Sequence, residues 1–293
     1  LMDSATGIPF AKMNGLGNDF VVIDARARAV PLDRETVRRI AARETGIGCD
    51  QLIRLEPSPG TDAFMRIWNS DGGEVDASGN ATRCIAWGLM EESGRDRLSI
   101  ATYAGILECT RGPAEMTVSV DMGVPRFSWE DIPLAEPFAD TRMIELHVGP
   151  ADAPLLHSPS VVNVGNPHCI FWVEDCEAHD LARLGPFLES HPLFPERANI
   201  SLAQVTAEDA LKLKVWERGA GLTRACGTAA CAAAVAAARK RLTGRRVAVT
   251  LPGGTLDIEW REDDHVVMTG PVAFEFDGVL SPELIASARD AVQ

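Results

Sequence analysis

The chain has 293 residues, 46% hydrophobic and 24% charged, the proportions of an ordinary globular protein of about two domains. Twenty-eight Lys and Arg against 42 Asp and Glu leave a formal charge of −14, which argues against a nucleic-acid or anionic-membrane partner, since both favour basic patches. No run of about 18 apolar residues suggests a membrane span. The N-terminal residues have neither the basic nor the apolar region of a secretory signal, so a cytoplasmic location is expected. Seven cysteines, an odd number, then read as reduced thiols, and their spacing completes no zinc-type ligand set, so no metal is expected.

Along the chain, residues 32–43 read as a helix capped by Asp33, with Val37, Ile40 and Ala41 on one face. Residues 64–68 alternate as a strand. Residues 79–92 are apolar almost all round and predict a buried helix. Strands are expected at 98–103 and 116–121. The loose stretch 125–141, with Pro133 and Pro137, suggests a boundary, giving an N-terminal half of residues 1–132 plus 272–293 and a C-terminal half of 133–271. Within the latter, strands are expected at 144–148, 201–205, 211–216, 247–251, 256–260 and 266–269. Residues 180–189 and 282–292 read as surface helices. Residues 227–241 read as a second buried helix, nearly pure small residues from 232 to 238 and so able to pack closely against a sheet. Many short strands with one buried helix per half predict an α+β fold, not a βαβ alternation.

An internal echo joins the halves. Ser78-Gly79-Asn80-Ala81 and Cys226-Gly227-Thr228-Ala229 lie 226 − 78 = 148 residues apart and each opens a buried helix. A thiol at a helix start meets free amides and the positive dipole end, which favour the thiolate and bind carboxylates. Two acid–base groups at opposing helix tips could invert a stereocentre without a cofactor, one removing a proton and the other delivering one. Cys226 can equally be an inert buried cysteine. Asn-rich turns at 14–20, 68–73, 165–168 and 197–199 can satisfy their own backbone or, converging, recognise a zwitterion. Glu217-Arg218 leaves a strand as an opposite-charge pair, and an Arg beside a glycine loop is a natural carboxylate fork.

The motifs Lys12-Met13-Asn14-Gly15-Leu16-Gly17-Asn18-Asp19-Phe20, Gly46-Ile47-Gly48-Cys49-Asp50-Gln51, Arg66-Ile67-Trp68-Asn69-Ser70-Asp71-Gly72, Gly79-Asn80-Ala81-Thr82-Arg83-Cys84, Gly165-Asn166-Pro167-His168, Glu217-Arg218-Gly219-Ala220-Gly221 and Ala225-Cys226-Gly227-Thr228 resemble, together and in order, those of diaminopimelate epimerases. The resemblance implies two pseudo-symmetric halves, each a mostly antiparallel barrel-like sheet around a central helix, with the active site in the cleft between them. It implies a pyridoxal-independent isomerase of lysine and peptidoglycan-precursor biosynthesis. Such an enzyme interconverts LL- and meso-2,6-diaminopimelate without any cofactor and forms a homodimer through a sheet edge. Cys226 matches one of two catalytic thiols, and His168 and Glu217 match residues that assist. Asn18, Gln51, Asn69, Gly79, Asn80, Asn166, Asn199, Glu217, Arg218, Gly227 and Thr228 match substrate-binding positions.

The other family thiol falls on Ser78, whose hydroxyl is a far weaker acid. Leu222 follows Gly219-Ala220-Gly221 where the family has glutamate, and Ala81 and Ala229 replace common glycines. Three readings of Ser78 stay open: a cysteine exchanged to prevent a disulfide or trap ligand, a natural residue with altered chemistry, or an amino-acid-binding relative without turnover. The alternative enzymes are a hydroxyproline epimerase or dehydratase and a proline racemase. Ser78 implies impaired epimerisation.

Overall fold

The computed structural model describes residues 7–285. In chain order the elements begin with β1 (Ile8–Gly15), β2 (Asn18–Asp24), α1 (Arg34–Ala41), β3 (Gln51–Glu56), β4 (Ala63–Asn69), β5 (Glu74–Val75), α2 (Gly79–Ser93), β6 (Arg97–Thr102), β7 (Gly105–Arg111) and β8 (Thr117–Asp121). They continue with β9 (His147–Val148), β10 (Leu156–His157), β11 (Ser160–Asn163), β12 (Pro167–Trp172), α3 (Leu181–Glu189), β13 (Asn199–Ala207), β14 (Ala210–Glu217), β15 (Gly221–Thr223), α4 (Gly227–Arg239), β16 (Arg246–Leu251), β17 (Gly254–Trp260), β18 (Val266–Pro271) and β19 (Ala273–Leu280). The chain divides into two units, Leu1–Val120 with Pro271–Gln293, and Asp121–Gly270.

The two units repeat one plan. In the first, β1–β2 is antiparallel, β2–β3 parallel, β3–β4 and β4–β5 antiparallel, β4–β6 parallel, and β6–β7 and β7–β8 antiparallel. In the second, β11–β12, β12–β13, β13–β14, β14–β15, β14–β16, β16–β17 and β17–β18 follow the same series of senses. The register makes residues equivalent. Phe20 lies opposite Gln51 as His168 lies opposite Asn199, and Leu52 opposite Trp68 as Ile200 opposite Trp216. Asn18 thus corresponds to Asn166, Asn69 to Glu217 and Ser78 to Cys226. The fold is α+β, two pseudo-symmetric halves of mostly antiparallel strands with few helices.

Each unit is organised around one buried helix. Helix α2 packs on β1, β6 and β7, and α4 touches six strands of its own unit. Along α4, Gly227 and Ala229 through Ala237 are all buried. Its alanines let the strands approach closely and favour helix without losing side-chain entropy. Helix α1 starts where expected: the Asp33 side chain accepts the Thr36 amide at 2.7 Å, and Val37, Ile40 and Ala41 are buried.

Some expectations shift. The Asn-rich turn expected at 14–20 is tighter than its length suggests: it is a hairpin with most of the stretch in strands. Gly15 pairs with Asn18, and Leu16 and Gly17 form a two-residue turn with φ of 56° and 82°. Positive φ at both turn residues matches the twist of the flanking strands. Of the strand expected at 144–148, only His147–Val148 pairs, with β10. Residues 121–132 group with the second unit, where Arg126 bridges Asn163 and the Met122 amide donates to Val266. Of the final helix expected at 282–292, residues 282–285 are helical and the remainder lies outside the described residues.

Candidate active site

In the second unit, Cys226 is the N-cap residue of α4 and is only 5% exposed. Its backbone is extended and its side chain makes no capping bond, so the thiol is left for other work. Sγ lies 3.6 Å from the Thr228 hydroxyl. Asn166 Nδ2 donates to that hydroxyl at 3.2 Å, and His168 Nε2 lies 2.7 Å from Asn166 Oδ1. Position at a helix start was expected to favour the thiolate. The structure reverses that: burial pushes the Cys226 thiol well above its ordinary value of 9.0 and the Glu217 charge adds to it, outweighing the Thr228 hydroxyl and the Ala229 amide. Burial also raises the Glu217 carboxyl, with Thr223 and Cys226 pulling the other way. Burial and the Arg218 charge hold the His168 imidazole down to about 3, so the ring is neutral at physiological pH.

Glu217 and Arg218 do not form the ion pair expected of them. Neighbouring residues at a strand end point apart. The Arg218 amide donates to Asn199 Oδ1 at 2.8 Å and its Nη1 to the Glu196 carbonyl at 2.9 Å. Among the described residues it meets no carboxylate within salt-bridge distance. Asn199 also holds the strand end together, its Nδ2 donating to Pro167 O at 2.9 Å. One carboxylate clamps this loop: Glu189 accepts Trp216 Nε1 at 3.0 Å, the Gly219 amide at 3.3 Å and Arg197 Nη1 at 2.6 Å. The Trp216 ring lies over Gly185, where a Cβ would sit 2.3 Å from it.

In the first unit, Ser78 caps α2. Its Oγ accepts the Ala81 amide at 3.2 Å and its carbonyl the Thr82 amide at 2.9 Å. Asn80 Nδ2 donates to Asn18 Oδ1 at 3.2 Å, and Asn18 Nδ2 to Asp50 Oδ2 at 3.0 Å. Gln51 Nε2 donates to Asn69 Oδ1 at 3.0 Å. Behind these amides stands a charged cluster. Asp19 bonds Arg43 through both oxygens at 2.9 Å and pairs with buried Lys12 at 3.0 Å. Burial alone would raise the Asp19 carboxyl, but Arg43 and Lys12 outweigh it and hold it well below the usual range. Arg83, fully buried, donates to Asn80 Oδ1 at 2.7 Å.

A sequence model of the diaminopimelate epimerase family matches residues 10–128 and 160–275. The chain is 56% identical over 284 residues to a diaminopimelate epimerase of Rhodopseudomonas palustris (strain BisB5), covering 96% of each chain. The chain belongs to the diaminopimelate epimerase family. A second family member, from Nitrobacter hamburgensis, is 56% identical over 281 residues, 95% of this chain and 97% of that one. A solved hydroxyproline epimerase from Agrobacterium vitis, with bound trans-4-OH-L-proline, shares the fold with a TM-score of 0.64 at 12% identity, covering 94% and 92% of the two chains.

Within this epimerase family fold, the family-matched residues gather at two helix starts. Thr228 and Glu217 meet Cys226, with Asn166 and His168 bonded in line behind Thr228; Gly79 and Asn80 follow Ser78 into α2, and Asn18 is bonded to Asn80. The motif reading assigned no role to Asp50, Arg83 or Glu189. The first two stand inside family motifs, but their asparagine partners Asn18 and Asn80 are met only in the folded chain. Glu189 sits at the end of a surface helix and carried none.

Proposed function

We propose that this chain epimerises 2,6-diaminopimelate between its LL and meso forms by proton transfer at an α-carbon, with Cys226 serving one face and position 78 the other. The family match across most of the chain, with an uncapped cysteine beside a raised carboxylate, carries the reading. In the resting protein the proton sits on Cys226 and the Glu217 carboxyl is the nearby acceptor. Transfer from Sγ to Glu217 leaves a thiolate, which takes the α-proton; the opposite group then gives its proton to the carbanion. The amides of Gly227 and Thr228 lie outside the helix's own hydrogen-bond ladder. They stabilise the α-carboxylate as negative charge grows on it. Arg218 holds the distal carboxylate. No step calls for a cofactor.

Ser78 is the weak member of the pair. Its lone pair is engaged by the Ala81 amide, and giving up its proton leaves an alkoxide, so turnover is impaired and binding is kept. The protein is a cytoplasmic homodimer in this reading. Strand β19 pairs with β1 and leaves Phe274 and Phe276 each 46% exposed and Val279 65% exposed, a surface suited to a second copy. Sedimentation of Phe276→Glu as a monomer supports that assignment, and an unchanged dimer removes it. The test of function is a substrate panel. Conversion of LL-diaminopimelate to the meso form, faster with Ser78→Cys, supports the proposal. Activity confined to proline or hydroxyproline, or saturable binding of diaminopimelate without any α-proton exchange in either version, overturns it.

A further inference from the structure

A glutamate is an unfavourable last residue for a helix, because the carbonyl end of the dipole is already negative. Glu189 ends α3 with its side chain only 12% exposed, so its charge needs partners. It has three. Oε1 accepts Trp216 Nε1 at 3.0 Å and the Gly219 amide at 3.3 Å, and Oε2 accepts Arg197 Nη1 at 2.6 Å. The Glu189 carbonyl adds a fourth bond, accepting the Ala198 amide at 3.2 Å. One residue thus ties the end of α3 to residues 197–198 and to the loop 216–219.

Trp216 and Gly219 bracket Glu217. Gly185 and Glu189 stand four residues apart, so they share one face of α3. The Trp216 ring packs on Gly185 and its N–H reaches Glu189. Side chains alternate along a strand, so an indole turned toward α3 turns Glu217 the other way, where it meets Thr223 and Cys226. Beyond Glu217 the chain reverses: Gly219 has φ 78°, and the Ala220 amide donates to the Glu217 carbonyl at 3.1 Å. In the first unit the equivalent turn closes on its own backbone, Asn69 N donating to Gly73 O at 2.8 Å and Gly72 N to Asn69 O at 2.9 Å. In the second unit the Gly219 amide goes to Glu189 instead.

We propose that Glu189 is a positioning residue: by holding Trp216 and Gly219 on either side, its carboxylate keeps Glu217 turned onto Cys226. The inference rests on the reading of Glu217 and Cys226 as partners in the epimerase. Acid–base groups lose their effect when their support lets them drift by more than about 0.5 Å. Three groups face the sulfur. Glu217, from β14, is the charged one and disfavours the thiolate; the Thr228 hydroxyl and Ala229 amide, from α4, favour it. The bonds of Glu189 go to the loop, so it acts on the thiol through Glu217. The Arg197 arm leads away from Glu217 to a side chain 54% exposed, and it is the arm the site can spare.

The test is Cys226 alkylation by iodoacetamide in the full chain, followed against pH by peptide mass spectrometry. In Glu189→Ala the loop loses its hold and Glu217 its fixed place. The profile should move down by about one unit, roughly tenfold more thiolate at a given pH. Glu189→Gln, whose amide oxygen still accepts from Trp216 and Gly219, should keep the parent profile. A general loosening of the fold would expose the thiol whatever stands at position 217, so the effect of Glu189→Ala is measured again in Glu217→Gln, where it should vanish. Trp216→Phe keeps a ring on Gly185 and removes one donor; it serves if Glu189→Ala does not fold, with a smaller shift in the same direction. An unmoved profile in the folded variant overturns the proposal. So does a shift that persists beside Glu217→Gln or that Glu189→Gln shares. The measurement needs no substrate, so failure of the epimerase reading, seen as no turnover of diaminopimelate, stays distinguishable.

Discussion

Ser78→Cys should make the protein less stable and far more active. The Ser78 hydroxyl accepts the Ala81 amide at 3.2 Å and so caps α2, whereas the cysteine at the equivalent Cys226 makes no cap bond. The two cap residues share an extended backbone, φ −151° and ψ 119° at Ser78 against −130° and 105° at Cys226, so the exchange asks for no rearrangement. Losing the cap costs about 0.5–2 kcal/mol. For a chain of this size that lowers Tm by about 2–4 °C per kcal/mol. Supplying a competent acid–base partner is worth about 10²–10⁴-fold in rate. At about 1.36 kcal/mol per decade, this is about 2.7–5.5 kcal/mol of barrier. Thermal melts followed by circular dichroism, together with proton NMR of diaminopimelate turnover, read both quantities on one preparation. Unchanged turnover refutes the role of position 78. A melting temperature that stays level or rises refutes the capping argument.

Glu217→Gln should separate ionisation from turnover. Removing the carboxylate's charge eases thiolate formation, so Cys226 alkylates faster at a given pH, yet turnover falls about 10²-fold or more because the thiol's proton acceptor is gone; slower alkylation contradicts the assigned electrostatics. Asp19→Asn leaves buried Lys12 with the Gly48 carbonyl but no opposite charge and should cost about 3–5 kcal/mol in urea unfolding. Asp19 has a depressed folded-state pKa, so its stabilisation is complete above its ordinary value of 3.8 and is lost as pH falls below it; the variant should lack that part of the acid sensitivity. His168 titrates near 3 when folded against an ordinary 6.5, so the unfolded chain binds the extra proton first. Stability should therefore fall as pH drops from 6.5 toward 3, by up to about 1.4 kcal/mol per pH unit, and His168→Phe should flatten that slope in urea melts.

The two buried helices were legible because their starts carry Ser78-Gly79 and Cys226-Gly227 and they are apolar almost all round. Observed bounds of Gly79–Ser93 and Gly227–Arg239 lie within two residues of those read from the sequence. The first strands were harder. In Asn18–Asp24 five consecutive residues are buried, so the two-residue alternation that marks a half-exposed strand is absent. Leu16 gave no turn signal, since it adopts a positive φ that leucine seldom takes. The order of motifs pointed to Cys226, Glu217 and His168 as candidates, but their electrostatics were not readable. A helix dipole lowers a thiol pKa; full burial beside a carboxylate raises it, and burial is a property of the packed chain. Glu189 escaped notice for the same reason, because its partners Trp216, Gly219 and Arg197 lie 27, 30 and 8 residues away.

Solvent isotope entry tests the central claim, that Cys226 and position 78 work as opposed acid–base groups and that Ser78 is the weaker. LL- and meso-diaminopimelate would each be incubated with the chain as it stands in deuterium oxide, and α-proton loss and configuration followed together by proton NMR. Deuterium should enter one stereoisomer with its configuration kept, well ahead of inversion, and Cys226→Ala should abolish the exchange. Inversion that keeps pace with exchange, or exchange that survives Cys226→Ala, would contradict it.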